Sequence, residues 1–167
     1  NTIQDVNITG FHASAIKMFG HSGAMPDSGN VITAVVGRNT LGNVTSSILS
    51  DIRVIEMDCE STVLIEKTDI VSVSNTANTT SHVYGLVTNL ASSTTNLNRG
   101  KFIIRDNTIT GLSNGALTVT TGLAGAMSLN NTNNGTEYEI YRNKINNIFS
   151  NASGLGRSSG ILINGAT

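Results

Sequence analysis

The densest group of side chains able to do chemistry in this chain is acidic: Asp51, Glu56, Asp58 and Glu60, with Glu66 and Asp69 a little further on. In an extended segment alternate residues share a face, so Glu56, Asp58 and Glu60 would line up side by side. Three carboxylates so placed could hold a hard cation such as Ca²⁺, which takes oxygen ligands. A solvated outer face is the simpler account of the same spacing, and neither a metal nor any other cofactor is assigned on it. The histidines offer less: His12 and His82 are assigned no nucleophile partner, and His-Glu-x-x-His is missing from the chain. Gly154-Leu155-Gly156-Arg157 lacks the Lys-Ser/Thr pair of a phosphate-binding loop and reads as a turn. Cys59, the single cysteine, can form no internal disulfide and reads as a small buried hydrophobe. No catalytic residue is assigned, and the chain is not expected to be an enzyme.

What would position these residues is a repeat. Ile104-Arg105-Asp106-Asn107-Thr108-Ile109-Thr110-Gly111-Leu112 reads Ile-x-x-Asn-x-Ile-x-x-Leu. Related copies follow at Ile140, Asn143, Ile145 and Ile148, and precede it at Ile65, Thr68, Ile70 and Val73 and at Val36, Asn39, Leu41 and Val44. A truncated copy opens the chain with Asn1, Ile3 and Val6. A second column, of short Gly-Ile-Leu-Ile-like strands, is centred on Ile16, Ile52, Leu86, Met127 and Ile161, at the same period of about 35 residues. Each repeat thus holds one short strand, a variable connection, and two further strands separated by a bend at Asn. Stacked coils place equivalent residues in rows about 4.8 Å apart. Asn1, Asn39, Asn107 and Asn143 are then a structural ladder at the bend, where an amide tolerates unusual backbone angles and bonds its neighbours above and below.

Composition agrees with a packed but weakly charged stack. Charged residues make up 13% of the chain and the formal net charge is −1, so no basic surface exists to neutralise a nucleic-acid backbone. The surface chemistry comes instead from 21 Asn and 39 Ser plus Thr. No apolar run approaches the ~20 residues of a membrane-spanning helix, so no span is expected. The 38% apolar residues recur in register, which argues against disorder.

The phrases Ile-Arg-Asp-Asn-Thr-Ile-Thr-Gly-Leu, Tyr-Arg-Asn-Lys-Ile-Asn-Asn-Ile and Ser-Ser-Gly-Ile-Leu-Ile-Asn-Gly-Ala-Thr resemble the repeats of right-handed parallel β-helix proteins of the pectate-lyase-like superfold. That superfamily includes pectin-degrading enzymes, phage tailspikes and large bacterial surface and secreted proteins. The resemblance covers essentially the whole chain. It implies an all-β right-handed parallel β-helix of about five coils with variable loops, forming one domain over 1–167. The Asn- and Thr-rich coils are most similar to long cell-surface proteins of Gram-negative bacteria, particularly of the Bacteroidetes type. Enzymes of this fold that cleave acidic polysaccharides use clustered carboxylates with a cation, Arg or Lys. His21, in Phe19-Gly20-His21-Ser22-Gly23, is only superficially similar to the Gly-His-Gly of polygalacturonases, because the accompanying paired aspartates are missing.

Neither end reads as a cap, and the phase of the repeat places a half coil at each. Ile3, Val6, Ile161 and Ile163 are therefore expected at an end-to-end interface, completed by flanking repeats of the same chain or by head-to-tail self-association. The resulting expectation is a structural or adhesive protein of a filament or large adhesin, extracellular or at a cell surface. The alternative is a carbohydrate-binding or polysaccharide-cleaving β-helix, such as a tailspike fragment, with a surface polysaccharide as partner. A carboxylate cluster with nearby Arg in a groove, and aromatic residues for sugar stacking, would favour the alternative; the aromatic content of 4% with no Trp leans against it.

Overall fold

The computed structural model of the chain describes residues 1–20, 27–77, 81–88, 98–115, 122–131, 136–151 and 157–165. His21 and residues 154–156 lie outside the described residues. Fifteen strands follow one another with no helix among the described residues. The first coil is β1 (Thr2–Ile3), β2 (Asn7–Thr9) and β3 (Ile16–Phe19), and the second is β4 (Asp27–Ile32), β5 (Asn39–Ser46) and β6 (Ile52–Asp58). The third is β7 (Glu60–Glu66), β8 (Thr68–Asn75) and β9 (Val83–Thr88), and the fourth β10 (Arg99–Arg105), β11 (Thr108–Asn114) and β12 (Leu123–Asn131). The fifth is β13 (Thr136–Tyr141), β14 (Lys144–Ser150) and β15 (Arg157–Gly165).

Every third strand pairs with its counterpart, which gives three five-stranded sheets, β1-β4-β7-β10-β13, β2-β5-β8-β11-β14 and β3-β6-β9-β12-β15. All of the pairings are parallel. This is a parallel β-helix solenoid. No helix of the described residues is long and apolar enough to cross a membrane.

The core is a set of apolar rows, one residue per coil. Ile32, Ile65 and Ile104 stack in the first sheet, Leu41, Ile70 and Ile109 in the second, and Ile55, Leu86 and Met127 in the third, all at most 2% exposed. Burial of each such side chain stabilises by roughly 1.5–3 kcal/mol.

Several residues fall in different rows from those their spacing predicts. Ile32, not Val36, pairs with Ile65, and Val36 is 86% exposed. Ile3 pairs with Ile32 in the first sheet, while Ile8 pairs with Leu41 and is the true first member of the second row. In the third sheet Ile55, not Ile52, pairs with Ile16 and Leu86. With Ile3 reassigned, the chain runs through five sets of three strands, and the half coils expected at Asn1 and at the C-terminal strand are not seen.

The bends carry a regular backbone signature. Asp5, Lys67, Asp106 and Arg142 have φ between 50° and 56°, each one position before its coil's ladder residue. A second column of positive φ, at Gly10, Asn43, Ser72, Gly111 and Asn147, interrupts the second sheet once per coil. The unusual backbone angles expected of the Asn ladder therefore belong to the residue before it.

Candidate functional site

Three sets of polar residues run through the stack. The first is the Asn ladder. Asn39 and Asn107 point inward, at 0% and 3% exposure. Each takes a backbone N–H of the preceding coil: Val6 N donates to Asn39 Oδ1 at 3.1 Å, Thr68 N to Asn107 Oδ1 at 3.0 Å, and Asn107 N to Asn143 Oδ1 at 3.0 Å. Their amide groups donate onward, from Asn107 Nδ2 to Ile65 O at 3.1 Å and from Asn143 Nδ2 to Ile104 O at 2.8 Å. Thr68 fits the row because its hydroxyl can accept from Asn39 Nδ2 at 3.4 Å. Asn1 lies in another row, donating to Asn30 Oδ1 at 3.0 Å, and the first coil fills the ladder position with half-buried Val6.

A second polar row went unread in the sequence. Seven positions beyond each ladder residue lie Ser46, Asn75, Asn114 and Ser150, where the chain leaves the second sheet. Asn75 and Asn114 are completely buried. Asn75 Nδ2 donates to the carbonyls of Ile48 and Ser50 at 3.2 Å, and Asn114 Nδ2 to that of Ser81 at 2.5 Å. The constant offset of seven is the signal that could have found the row.

The acidic residues separate rather than converge. Glu56 and Asp58 lie on β6, whereas Glu60 opens β7 beyond a bend at Cys59, whose φ is 59°. All three are buried, at 5%, 3% and 2% exposure, so the solvated outer face expected of them is not what forms. Glu60 accepts from buried Asn30 through its side chain, and its backbone N–H donates to Asn98 Oδ1 at 2.8 Å. Among the described residues no three His, Cys, Asp or Glu side chains come together as metal ligands would.

Glu56 belongs instead to a mixed-charge groove of about 500 Å³ on the third sheet, lined also by His12, Lys17, Asp51 and Arg53. Arg53 bridges Asp51 at 2.9 Å and Glu56 at 3.2 Å, and Lys17 reaches Glu56 at 3.3 Å. Asp51 also accepts the backbone N–H of His82 at 2.8 Å, while His82 Nδ1 accepts from Leu123 N at 3.1 Å. Tyr84 pairs with Arg53 in the sheet and meets the His82 ring edge-on at 5.7 Å. Burial, followed by the nearby Asp51 charge, pushes its phenol above the usual value. At 8% exposure Tyr84 gives no open stacking platform. The arrangement offers alternating cations and carboxylates to a polar ligand.

The third set is a column of charge at the bend. Asp5, Arg38, Lys67, Asp106 and Arg142 occupy equivalent positions, five of the few charged residues in the chain. Arg142 grips Asp106 with two hydrogen bonds of 2.7 Å, which hold the Asp106 carboxyl below its usual range. Beside it, Thr33, Glu66, Arg105 and Tyr141 make a chain across four coils, with contacts of 2.7, 2.7 and 3.0 Å. Burial raises the Glu66 pKa, but hydrogen bonds from Thr33 and Arg105 outweigh it and leave the carboxyl below its ordinary value.

The two end coils differ from those between them. Ile161 and Ile163 are 44% and 54% exposed, while their neighbours one coil inward, Met127 and Leu129, are at 0%. Ile140, Ile145 and Ile148 are half-buried, against at most 1% for Ile104, Ile109 and Leu112. At the other end Ile3, Ile8 and Phe11 are half-buried, although Ile16 and Met18 are covered. No family model matches this chain, and neither a curated protein nor a solved structure does.

Proposed function

We propose that the chain is a structural or adhesive element of a cell-surface filament or large adhesin. The observation that carries this reading is the regular stack of three parallel sheets, in which buried apolar and amide rows join each coil to the next. The internal rows spend polar side chains on holding coil to coil, which suits an extended scaffold. Negative-stain electron microscopy of the native material, together with protease treatment of the intact cells that make it, tests the proposal. Rods or fibres released from the cell surface are expected; compact particles retained inside intact cells would refute it.

The groove of His12, Lys17, Asp51, Arg53 and Glu56 favours a second reading, a surface that binds polysaccharide. Its guanidinium and ammonium groups would receive sugar carboxylates or hydroxyls. Retention of the protein on immobilised acidic polysaccharide, lost in Arg53→Ala, is the outcome expected of that reading, and equal retention of both proteins would remove it.

A further inference from the structure

We propose that the bend between the first and second sheets holds a tetrahedral oxyanion, a phosphate or sulfate group, in a pocket lined by Arg38, Asp106, Asn107, Thr108, Arg142 and Lys144. The pocket measures about 230 Å³, below the roughly 300–1,000 Å³ of sites that enclose a whole small molecule. It suits a small ion or the charged group of a larger molecule. Three of the chain's ten Lys and Arg line it, and the coil repeat is what gathers them. Arg38 and Arg142 stand one position before the ladder residues Asn39 and Asn143, and Lys144 one position after. Thr108 pairs with Lys144 in the second sheet, and Lys144 N donates to Asn107 O at 2.8 Å, which sets the two residues side by side on adjacent coils. The site lies on the flank of the stack, and its occupancy is independent of the scaffold reading.

The lining is rich in donors, and its acceptors are already engaged. Asp106 is the one carboxylate among the lining residues, and Arg142 takes both of its oxygens, from Nε and Nη2 at 2.7 Å. The Asp106 carbonyl accepts from Arg38 Nη2 at 2.8 Å, and Arg38 Nε donates to Asp69 at 2.7 Å. The Asn107 amide is turned inward to the ladder. Donors are what is left: Nη1 of Arg38, Nη1 of Arg142 and Nζ of Lys144 meet no acceptor among the described residues. The Thr108 hydroxyl can accept from Arg38 Nη2 at 3.4 Å, which keeps its own proton for another partner. A ligand with donors of its own, such as a neutral sugar, would leave them unmatched here, whereas an oxyanion brings acceptors only. Asp69 and Asp106 balance the two guanidinium groups, and Lys144 adds a positive charge with no carboxylate partner among the described residues. Each guanidinium is held before a ligand arrives, and that of Arg142 also lies 4.9 Å from the Tyr141 ring centre, so little ordering remains for binding to impose. Donors that converge from the second, fourth and fifth coils suit the oxygens of a tetrahedral group better than those of a flat carboxylate.

Isothermal titration calorimetry of the folded chain with inorganic phosphate, inorganic sulfate, glycerol phosphate and acetate tests the proposal. Saturable binding of a tetrahedral ion is expected, weakened about tenfold or more in Arg142→Gln and in Lys144→Gln, the effect of losing one hydrogen bond to a charged group. Lys144→Gln removes no side-chain contact within the described residues, so it separates loss of the ligand from loss of the fold, and circular dichroism establishes that both variants are folded. Glycerol phosphate binding as tightly as inorganic phosphate supports the proposal with an ester of a larger molecule as the occupant. Binding of the inorganic ions alone supports it with a free ion. Acetate binding as tightly as phosphate would overturn the tetrahedral assignment. Saturation by none of the probes, or equal affinity in the parent and both variants, would overturn the site.

Discussion

Replacing Asn107 by Leu changes shape little and chemistry completely. Asn107 is 3% exposed, and its amide serves three groups: the Thr68 N–H at 3.0 Å, the Ile65 carbonyl at 3.1 Å and Asn143 Oδ1 at 2.9 Å. Leu has the same number of side-chain heavy atoms with the same branching, so no cavity term enters. What enters is the desolvation of groups left without a partner, about 1–3 kcal/mol for each one that stays buried. Thr68 is 1% exposed and Ile65 likewise, whereas Asn143 is half-buried and can turn to water. Two groups therefore bear the cost, and the loss should be about 2–6 kcal/mol. In a chain of this length that lowers the thermal midpoint by roughly 5–25 °C. Asn7→Leu, at an exposed position of β2, should stay within about 0.5 kcal/mol of the parent. Urea titrations followed by far-ultraviolet circular dichroism measure both variants. Equal midpoints for the two would refute the reasoning that the ladder holds coil to coil.

Other outcomes follow from the same geometry. A Cβ on Gly42 would lie 1.8 Å from the Val71 carbonyl oxygen, backbone that cannot swing aside, so Gly42→Ala should cost about 3 kcal/mol. Gly10→Ala meets no atom within 4 Å and bears only the left-handed backbone penalty of about 1–2 kcal/mol; thermal melts of the pair should keep that order. The depressed Glu66 carboxyl contributes stability that is present above its unfolded value, near 4.5, and is lost as pH falls through its folded one. Glu66→Gln should therefore flatten the stability profile below about pH 4.5, read from urea midpoints at stepped pH. Cys59, 1% exposed at the bend between β6 and β7, should react with a thiol reagent only as fast as the protein unfolds.

The coil architecture was legible because Ile65, Ile104 and Ile140 each stand three positions before a polar ladder residue, and a period-two face set beside that spacing admits few folds. The same regularity misled where a coil departs from it. Between Ile32 and Asn39 the chain takes seven positions instead of three, and the fixed spacing picked Val36 out of the exposed connection. Ile3 and Ile8 are both apolar and five positions apart, as are Ile65 and Ile70, so a short first coil read as half of one. Asn1 was drawn into the ladder by that shift, while Val6, the residue that occupies the position, carries no amide to mark it. The acidic residues were legible as a group but not in their roles: the bend at Cys59 turns Glu60 away from Glu56, and Arg53 and Lys17 approach from strand positions that spacing along one segment does not relate. Asn75 and Asn114 went unnoticed because 21 Asn residues supply many competing alignments.

The central proposal is that this coil stack serves as part of a filament or large adhesin. Electron cryomicroscopy of the native material measures this directly. Rods or fibres whose density repeats at about 4.8 Å along the axis, the parallel-strand spacing, are the predicted result. Compact particles would contradict it.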